Sequence, residues 1–237
     1  MNGDSSMTIS IVTRCMDRRS FLEQSLPTWL SLPVCEIIIV DWGMLEPLDD
    51  LCNLDPRITI LHVPNQNYFD AGRAINTGVD YADSDIIFHI DSDIKVKTSL
   101  VNVFNHLPII HHNADAIIVD ITVTDYLELC GTCMFIKNAW KSVGGYFEGL
   151  PSWGGEDLYF FKCLRVYYRV FEFFSECTLS HIYHGDALRY EHMRRKNNIR
   201  DDTPAQLMID KTPWPQPHST PEYTVYGMGT KRIKIQG

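Results

Sequence analysis

Asp91-Ser92-Asp93 closes an apolar run from Asp85 to Ile90. Two carboxylates two residues apart at a strand end can face one hard divalent cation, whose preferred ligands are oxygens. Such a cation can also hold two phosphate oxygens. Asp83-Ser84-Asp85 has the same spacing but precedes the run. It falls on the wrong end of the strand and reads as a solvated turn or helix exit. Ligands of open α/β sheets collect outside the carboxyl ends of the strands, so position singles out Asp91 and Asp93 as metal candidates. His181-Ile182-Tyr183-His184 offers imidazole, a common metal ligand. Spacing of three brings both rings to one point only if the chain turns, and Gly185-Asp186 predicts that turn. Either histidine can complete the acidic site or serve as an ordinary structural residue.

Trp153-Gly154-Gly155-Glu156-Asp157 opens a helix. Its glycines permit close backbone approach to a ligand. The helix dipole favours carboxylates in the first turn. A plain helix start accounts for the two acids but not for the indole, which is a natural face for a sugar ring. Cys130-Gly131-Thr132-Cys133 lacks a second pair or nearby histidines for zinc, and its two cysteines read as free thiols. Arg189, Arg194, Arg195, Lys196 and Arg200 form the single basic cluster. It is a solvated helix face or a lid that orders over a diphosphate.

Alternating elements must position these groups. Residues 8–13, 36–40, 57–63 and 85–90 read as strands, and 21–32 and 70–81 as helices, the first stopped by Pro33. That alternation predicts a parallel sheet with helices on both faces. Beyond it, 99–107, 138–143 and 156–168 read as helices and 116–121, 133–137, 169–174 and 178–182 as strands. From residue 203 the prolines multiply and periodicity fades. The expected organisation is one domain over 1–203 and a Pro-rich tail over 204–237, packed on the surface or partly disordered.

The chain has 237 residues, 45% of them hydrophobic, and a formal charge of −9. This composition excludes a wholly disordered or fibrous chain. So acidic a protein has no bulk attraction to nucleic acid or anionic lipid. If it binds a nucleotide diphosphate, a metal ion is the natural device. No stretch approaches 18 apolar residues, so no integral membrane span is expected. The first seven residues lack an apolar signal core, and a cytoplasmic location is expected. Nothing in the sequence fixes an oligomeric state.

Taken in order, the Ile11-Val12-Thr13-Arg14 strand, Glu36 to Asp41, the Asn76-Thr77-Gly78 helix, Phe88 to Asp93 and Gly144 to Asp157 resemble a glycosyltransferase of the GT-A fold, family 2 type. The last segment is similar to the C-terminal half of β-1,4-galactosyltransferases, polypeptide N-acetylgalactosaminyltransferases and chondroitin-type polymerases. The resemblance implies a Rossmann-like, mixed, mostly parallel sheet flanked by helices, with the Asp-x-Asp metal site at the strand ends. It implies that Thr13 and Arg14 line the nucleotide pocket, that Asp41 meets the uracil or ribose, and that Arg73 lies near the nucleotide. Asp91 is placed beside ribose and metal, Asp93 on Mn2+ (or Mg2+), and His184 or His181 as a further ligand. Trp153 packs at the donor sugar, Glu156 holds hydroxyls, and Asp157 is the catalytic base. The sequence departs from the family pattern at Arg14 to Arg19, and at Asp41-Trp42-Gly43, where a paired acid is usual.

The expected function is therefore metal-dependent, inverting transfer of Gal, GalNAc, GlcNAc or GlcA from a UDP-sugar to a hydroxyl of a glycan or other acceptor, in the setting of bacterial polysaccharide biosynthesis. Expected partners are the nucleotide sugar and the acceptor. The alternative is an inactive relative that only binds sugar nucleotide. A sugar nucleotidyltransferase fits less well, since residues 8–20 contain no glycine for a phosphate loop.

Overall fold

The computed structural model describes residues 7–120, 122, 127–150, 154–185, 215, 218–228 and 230–234. Strands β1 (Ile9–Cys15), β2 (Glu36–Trp42), β3 (Ile58–Val63) and β4 (Ile86–His89) form its parallel heart. β1 pairs in parallel with both β2 and β4, and β2 with β3. Residues 37–40 are buried throughout, which is the mark of a strand covered on both faces. Successive side chains point to opposite faces. Accordingly Ile11, Ile37, Ile39, Ile60 and Phe88 enter one core, while Val12, Ile38, Val40, Leu61 and Ile87 enter the other.

Helix α1 (Arg19–Trp29) packs Leu22, Leu26 and Trp29 into the first core. It ends at Trp29, short of the expected stop at Pro33, and carries Pro27 in its last turn. Helix α2 (Ala71–Tyr81) covers the other face with Ala74, Ile75 and Val79. Asp70 caps it, accepting from the Arg73 backbone N–H. Glycine is required at Gly72 and Gly78. A Cβ at Gly72 would lie 1.9 Å from the Phe147 carbonyl oxygen, and one at Gly78 would lie 2.5 Å from Val12 Cγ1.

The second half adds β5 (Ile94–Val96), α3 (Thr98–Val103), β6 (Ala116–Val119), β7 (Cys133–Ile136), α4 (Lys137–Ser142), α5 (Glu156–Tyr167), β8 (Val170–Phe174) and β9 (Leu179–His181). β7 runs antiparallel to both β4 and β6, and β6 pairs in parallel with β8, which makes the sheet mixed. β5 and β9 form a separate two-stranded sheet in which Ile94 faces His181. That short pairing, absent from the sequence reading, delivers the histidines to the acidic strand end.

The expected surface tail over 204–237 needs correction where it is described. β10 (Tyr223–Gly227) pairs antiparallel with β3, and β11 (Thr230–Lys234) pairs with β10. The nine-stranded sheet thus runs β11-β10-β3-β2-β1-β4-β7-β6-β8. Tyr223 and Val225 are buried in the second core. Among the described residues, no helix is long and apolar enough to cross a membrane.

A candidate active site at the sheet switch point

Strand order reverses at β1, whose neighbours are β2 on one side and β4 on the other. The crevice at such a reversal, outside the carboxyl strand ends, is where open α/β sheets hold ligands. Arg14 stands at the end of β1, and Asp91 and Asp93 follow β4.

Asp93 is buried, and three nitrogens converge on its Oδ2. His184 Nε2 lies at 2.8 Å, His181 Nε2 at 3.8 Å and Arg18 Nη1 at 2.8 Å. Asp93, His181 and His184 offer ligand atoms that all lie within 4.8 Å of one another. The Ile182 N–H donates to the Asp93 carbonyl at 2.7 Å, which ties the histidine segment to the acid. The His184 ring is wedged against Phe21 and His181, with centroids 5.3 and 5.0 Å away. Its Nδ1 is buried and has no partner among the described residues. Burial alone would push the Asp93 carboxyl up. The nearby His181, the hydrogen-bonded His184 and the charge of Arg18 outweigh it and hold the group far below the usual carboxylate range. One ionised oxygen donor facing two imidazoles fits a divalent first-row cation.

Asp91 belongs to a neighbouring network. Arg14 Nη1 meets Asp91 Oδ1 at 3.1 Å, and its Nη2 meets Glu156 Oε1 at 3.2 Å. His89 completes the group. Its Nδ1 faces the Val12 carbonyl at 3.0 Å, an acceptor only, so Nδ1 carries the proton. The unprotonated Nε2 then accepts from Arg14 at 2.6 Å. Burial would raise Asp91 as well, but the Arg14 charge beside it brings it down. Gly131 packs directly against this acid, since a Cβ there would lie 2.6 Å from Asp91 Oδ2. In the Cys130–Cys133 segment the glycine therefore has the closest relation to the site. The Cys133 thiol is buried 3.1 Å from the Tyr146 hydroxyl.

Helix α5 begins at Glu156, after Gly154 and Gly155 at φ 84° and 101°. Backbone at those angles favours glycine over any other residue. Glu156 is buried; burial, then the nearby Asp157 charge, pushes its carboxyl up to about 7 against the pull of Arg14. Asp157 is half-buried, and burial raises it too. Its Oδ1 accepts from the Leu158 N–H at 2.7 Å.

Three further predicted site residues, Asp41, Thr13 and Arg73, are described. Asp41 is fully buried, and its oxygens are taken by the Met44 N–H and Leu48 N–H, both at 3.2 Å, and by His62 Nδ1 at 2.8 Å. It holds the loop after β2, and no ligand-facing oxygen is left. Thr13 is also fully buried, with a hydroxyl that lacks a partner among the described residues. Arg73 Nε donates to the Ser219 carbonyl at 3.2 Å. Trp153 and the basic cluster 189–200 lie outside the described residues.

Sequence reasoning missed Arg18, His89 and Asn76. Asn76 is buried and donates to the Tyr146 carbonyl and Glu148 Oε1, both at 2.9 Å. Its Oδ1 accepts from Trp140 Nε1 at 3.0 Å and the Tyr146 N–H at 2.9 Å. It fixes the segment leading to the Gly154-Gly155 turn onto α2. No periodicity marks such a residue; the only signal is a polar side chain on an otherwise apolar helix face.

Known proteins resemble this arrangement. The family model for glycosyl transferase family 2 matches residues 10–170. No curated protein matches. Among solved structures, S. aureus TarS 1–349 in complex with UDP-GlcNAc is similar, at 12% identity and a TM-score of 0.61 over 79% of this chain and 60% of that one. A Drosophila β-1,4-galactosyltransferase 7 mutant in complex with manganese, UDP-Gal and xylobiose gives 17% identity and a TM-score of 0.60, over 89% of this chain and 82% of that one. Mannosyltransferase PcManGT from Pyrobaculum calidifontis, in complex with GDP-Man and Mn2+, gives 14% and 0.55 over 71% and 55%. The chain spans only 36% of a longer TarS chain. At such identities the likeness is one of fold, a mixed sheet of GT-A type. With the family model covering most of the sheet and all of α5, the chain belongs to glycosyltransferase family 2.

Proposed function

We propose that the protein transfers a sugar from a UDP-sugar to a hydroxyl of a glycan acceptor, with inversion and with the help of a divalent metal. The observation that carries this reading is the Asp93–His181–His184 cluster at the switch point, beside the Arg14–Asp91–Glu156 network and Asp157. Similar folds have been seen with UDP-GlcNAc and with manganese and UDP-Gal, which supports the same donor class here. Two imidazoles in the donor set favour Mn2+ over Mg2+, which prefers oxygen ligands.

Asp93, His181 and His184 would hold the ion. A bound cation supplies Lewis-acid stabilisation to the departing diphosphate. The protein's own work is orientation and proton transfer. Asp157, half-buried at the first turn of α5, takes the proton from the acceptor hydroxyl as that oxygen attacks the anomeric carbon. The bond to the UDP oxygen breaks on the opposite face, which inverts the configuration. Glu156 is held by Arg14 and is available to sugar hydroxyls. Arg14 itself acts by joining the acid of β4 to the acid of α5.

UDP release from a panel of UDP-sugars, with and without saccharide acceptors, tests this directly. Asp157→Asn should retain nucleotide affinity and lose about 100- to 10,000-fold in turnover, the usual reach of a general base. Turnover near the wild-type rate in that variant would move the base elsewhere. Release from a GDP-sugar alone would shift the donor class towards that of the mannosyltransferase.

A further inference from the structure

Arg18 sits at the N-cap of α1 and sends its guanidinium into the Asp93 cluster. Its Nη1 donates to Asp93 Oδ2 at 2.8 Å and lies 3.3 Å from His184 Nε2. It therefore occupies the same oxygen on which both histidines converge. Arginine keeps its charge at every pH a protein meets, so this is a standing cation at the point of metal binding. A metal about 2 Å from that oxygen would bring two positive centres to within a few ångströms, in a partly buried place where repulsion is poorly screened.

Arg18 is also lightly held. Nη1 is its only guanidinium nitrogen with a partner among the described residues. Arg14 and Arg19 differ. Arg14 engages Asp91, Glu156 and His89, and Arg19 is tied to Glu23 and Asp50. Arg18 can thus leave without abandoning a network, whereas its departure uncovers the carboxylate that the metal needs.

We propose that Arg18 is a resident counter-cation of the Asp93 cluster, displaced when a divalent metal binds. Metal loading and release of the Arg18 guanidinium are then one event. Without a ligand the guanidinium keeps Asp93 from standing as a buried, uncompensated charge. The same contact weakens metal affinity in the nucleotide-free protein. This rests on the reading of Asp93, His181 and His184 as a metal site.

The test is titration of the nucleotide-free full chain with Mn2+, following the electron paramagnetic resonance signal of the free ion. Arg18→Met should bind Mn2+ about ten-fold more tightly than wild type, the equivalent of removing one competing charge-assisted hydrogen bond. Arg18→Lys should lie between the two, and Asp93→Asn should abolish binding. Arg18→Gln replaces the Met variant if the latter unfolds. Affinity unchanged or weakened in Arg18→Met, with binding still lost in Asp93→Asn, overturns the role of Arg18 and leaves the metal site standing. Absence of Asp93-dependent binding in wild type and Arg18→Met alike overturns the metal reading and this inference with it.

Discussion

Glu156 carries a carboxyl in a place that disfavours its charge. Burial, then the adjacent Asp157, raises its carboxyl from the ordinary value of 4.5 to about 7. Between those values the folded state keeps a proton that the unfolded state has released. The stability linked to this group is therefore full in acid and is lost as pH rises through about 7. Glu156→Gln removes the charge but keeps an acceptor for Arg14. Its thermal stability relative to wild type should rise between pH 5 and pH 8, reaching a gain of about 1–3 kcal/mol. A difference independent of pH would contradict the assignment. The same site shows what single residues reveal in a sequence. Asp91, Asp93 and the two histidines were legible because their position at strand ends distinguishes them from Asp83 and Asp85. Arg18 and His89 were not, since their roles come from side chains that meet across 75 positions of chain. Asp41 was legible as a strand-end acid, but that position could not show that loop amides and His62 would take its oxygens.

Helix α2 and the Tyr146–Gly149 segment form one positioning unit. Asp70 caps the helix with one oxygen and accepts from the Gly149 N–H with the other, at 3.1 and 2.9 Å. Asn76 holds the same segment one and a half turns on. Gly72 makes the fit close, with a Cβ position 1.9 Å from the Phe147 carbonyl. Backbone cannot retreat as a flexible side chain can. Gly72→Ala should destabilise the protein by about 1–3 kcal/mol, as overpacking does, despite the better helix propensity of alanine. Chemical denaturation measures it, and a stability equal to or above wild type would show that the segment moves freely. At this scale the parallel half was readable, because continuous apolar runs and helical spacing are strong signals. The β5–β9 pair was too short to show. β10 was hidden because its alternation at Tyr223 and Val225 follows a run of prolines, and a strand that adds to a sheet edge is decided by its partner, not by its own residues.

The whole molecule brings distant parts of the sequence to one end of one sheet. Arg14 and Arg18 arrive from β1 and the start of α1, Asp91 and Asp93 from β4, Glu156 and Asp157 from α5, and His181 and His184 from the return through β9. The order of motifs made this architecture legible as a family resemblance, and the family model bears out that resemblance over residues 10–170. The closing of the sheet by residues 223–234 was not, because no motif lies there. On the function proposed above, an acidic protein that holds a sugar nucleotide needs the cation as an intermediary. The direct test is thermal unfolding with UDP, with and without Mn2+, for wild type and Asp93→Ala. Ligand at about a hundred times its dissociation constant should add about 2.7 kcal/mol to the wild type, and only when Mn2+ is present. Asp93→Ala should lose that gain. Equal stabilisation by UDP without metal, or in Asp93→Ala, would contradict a metal-bridged donor site.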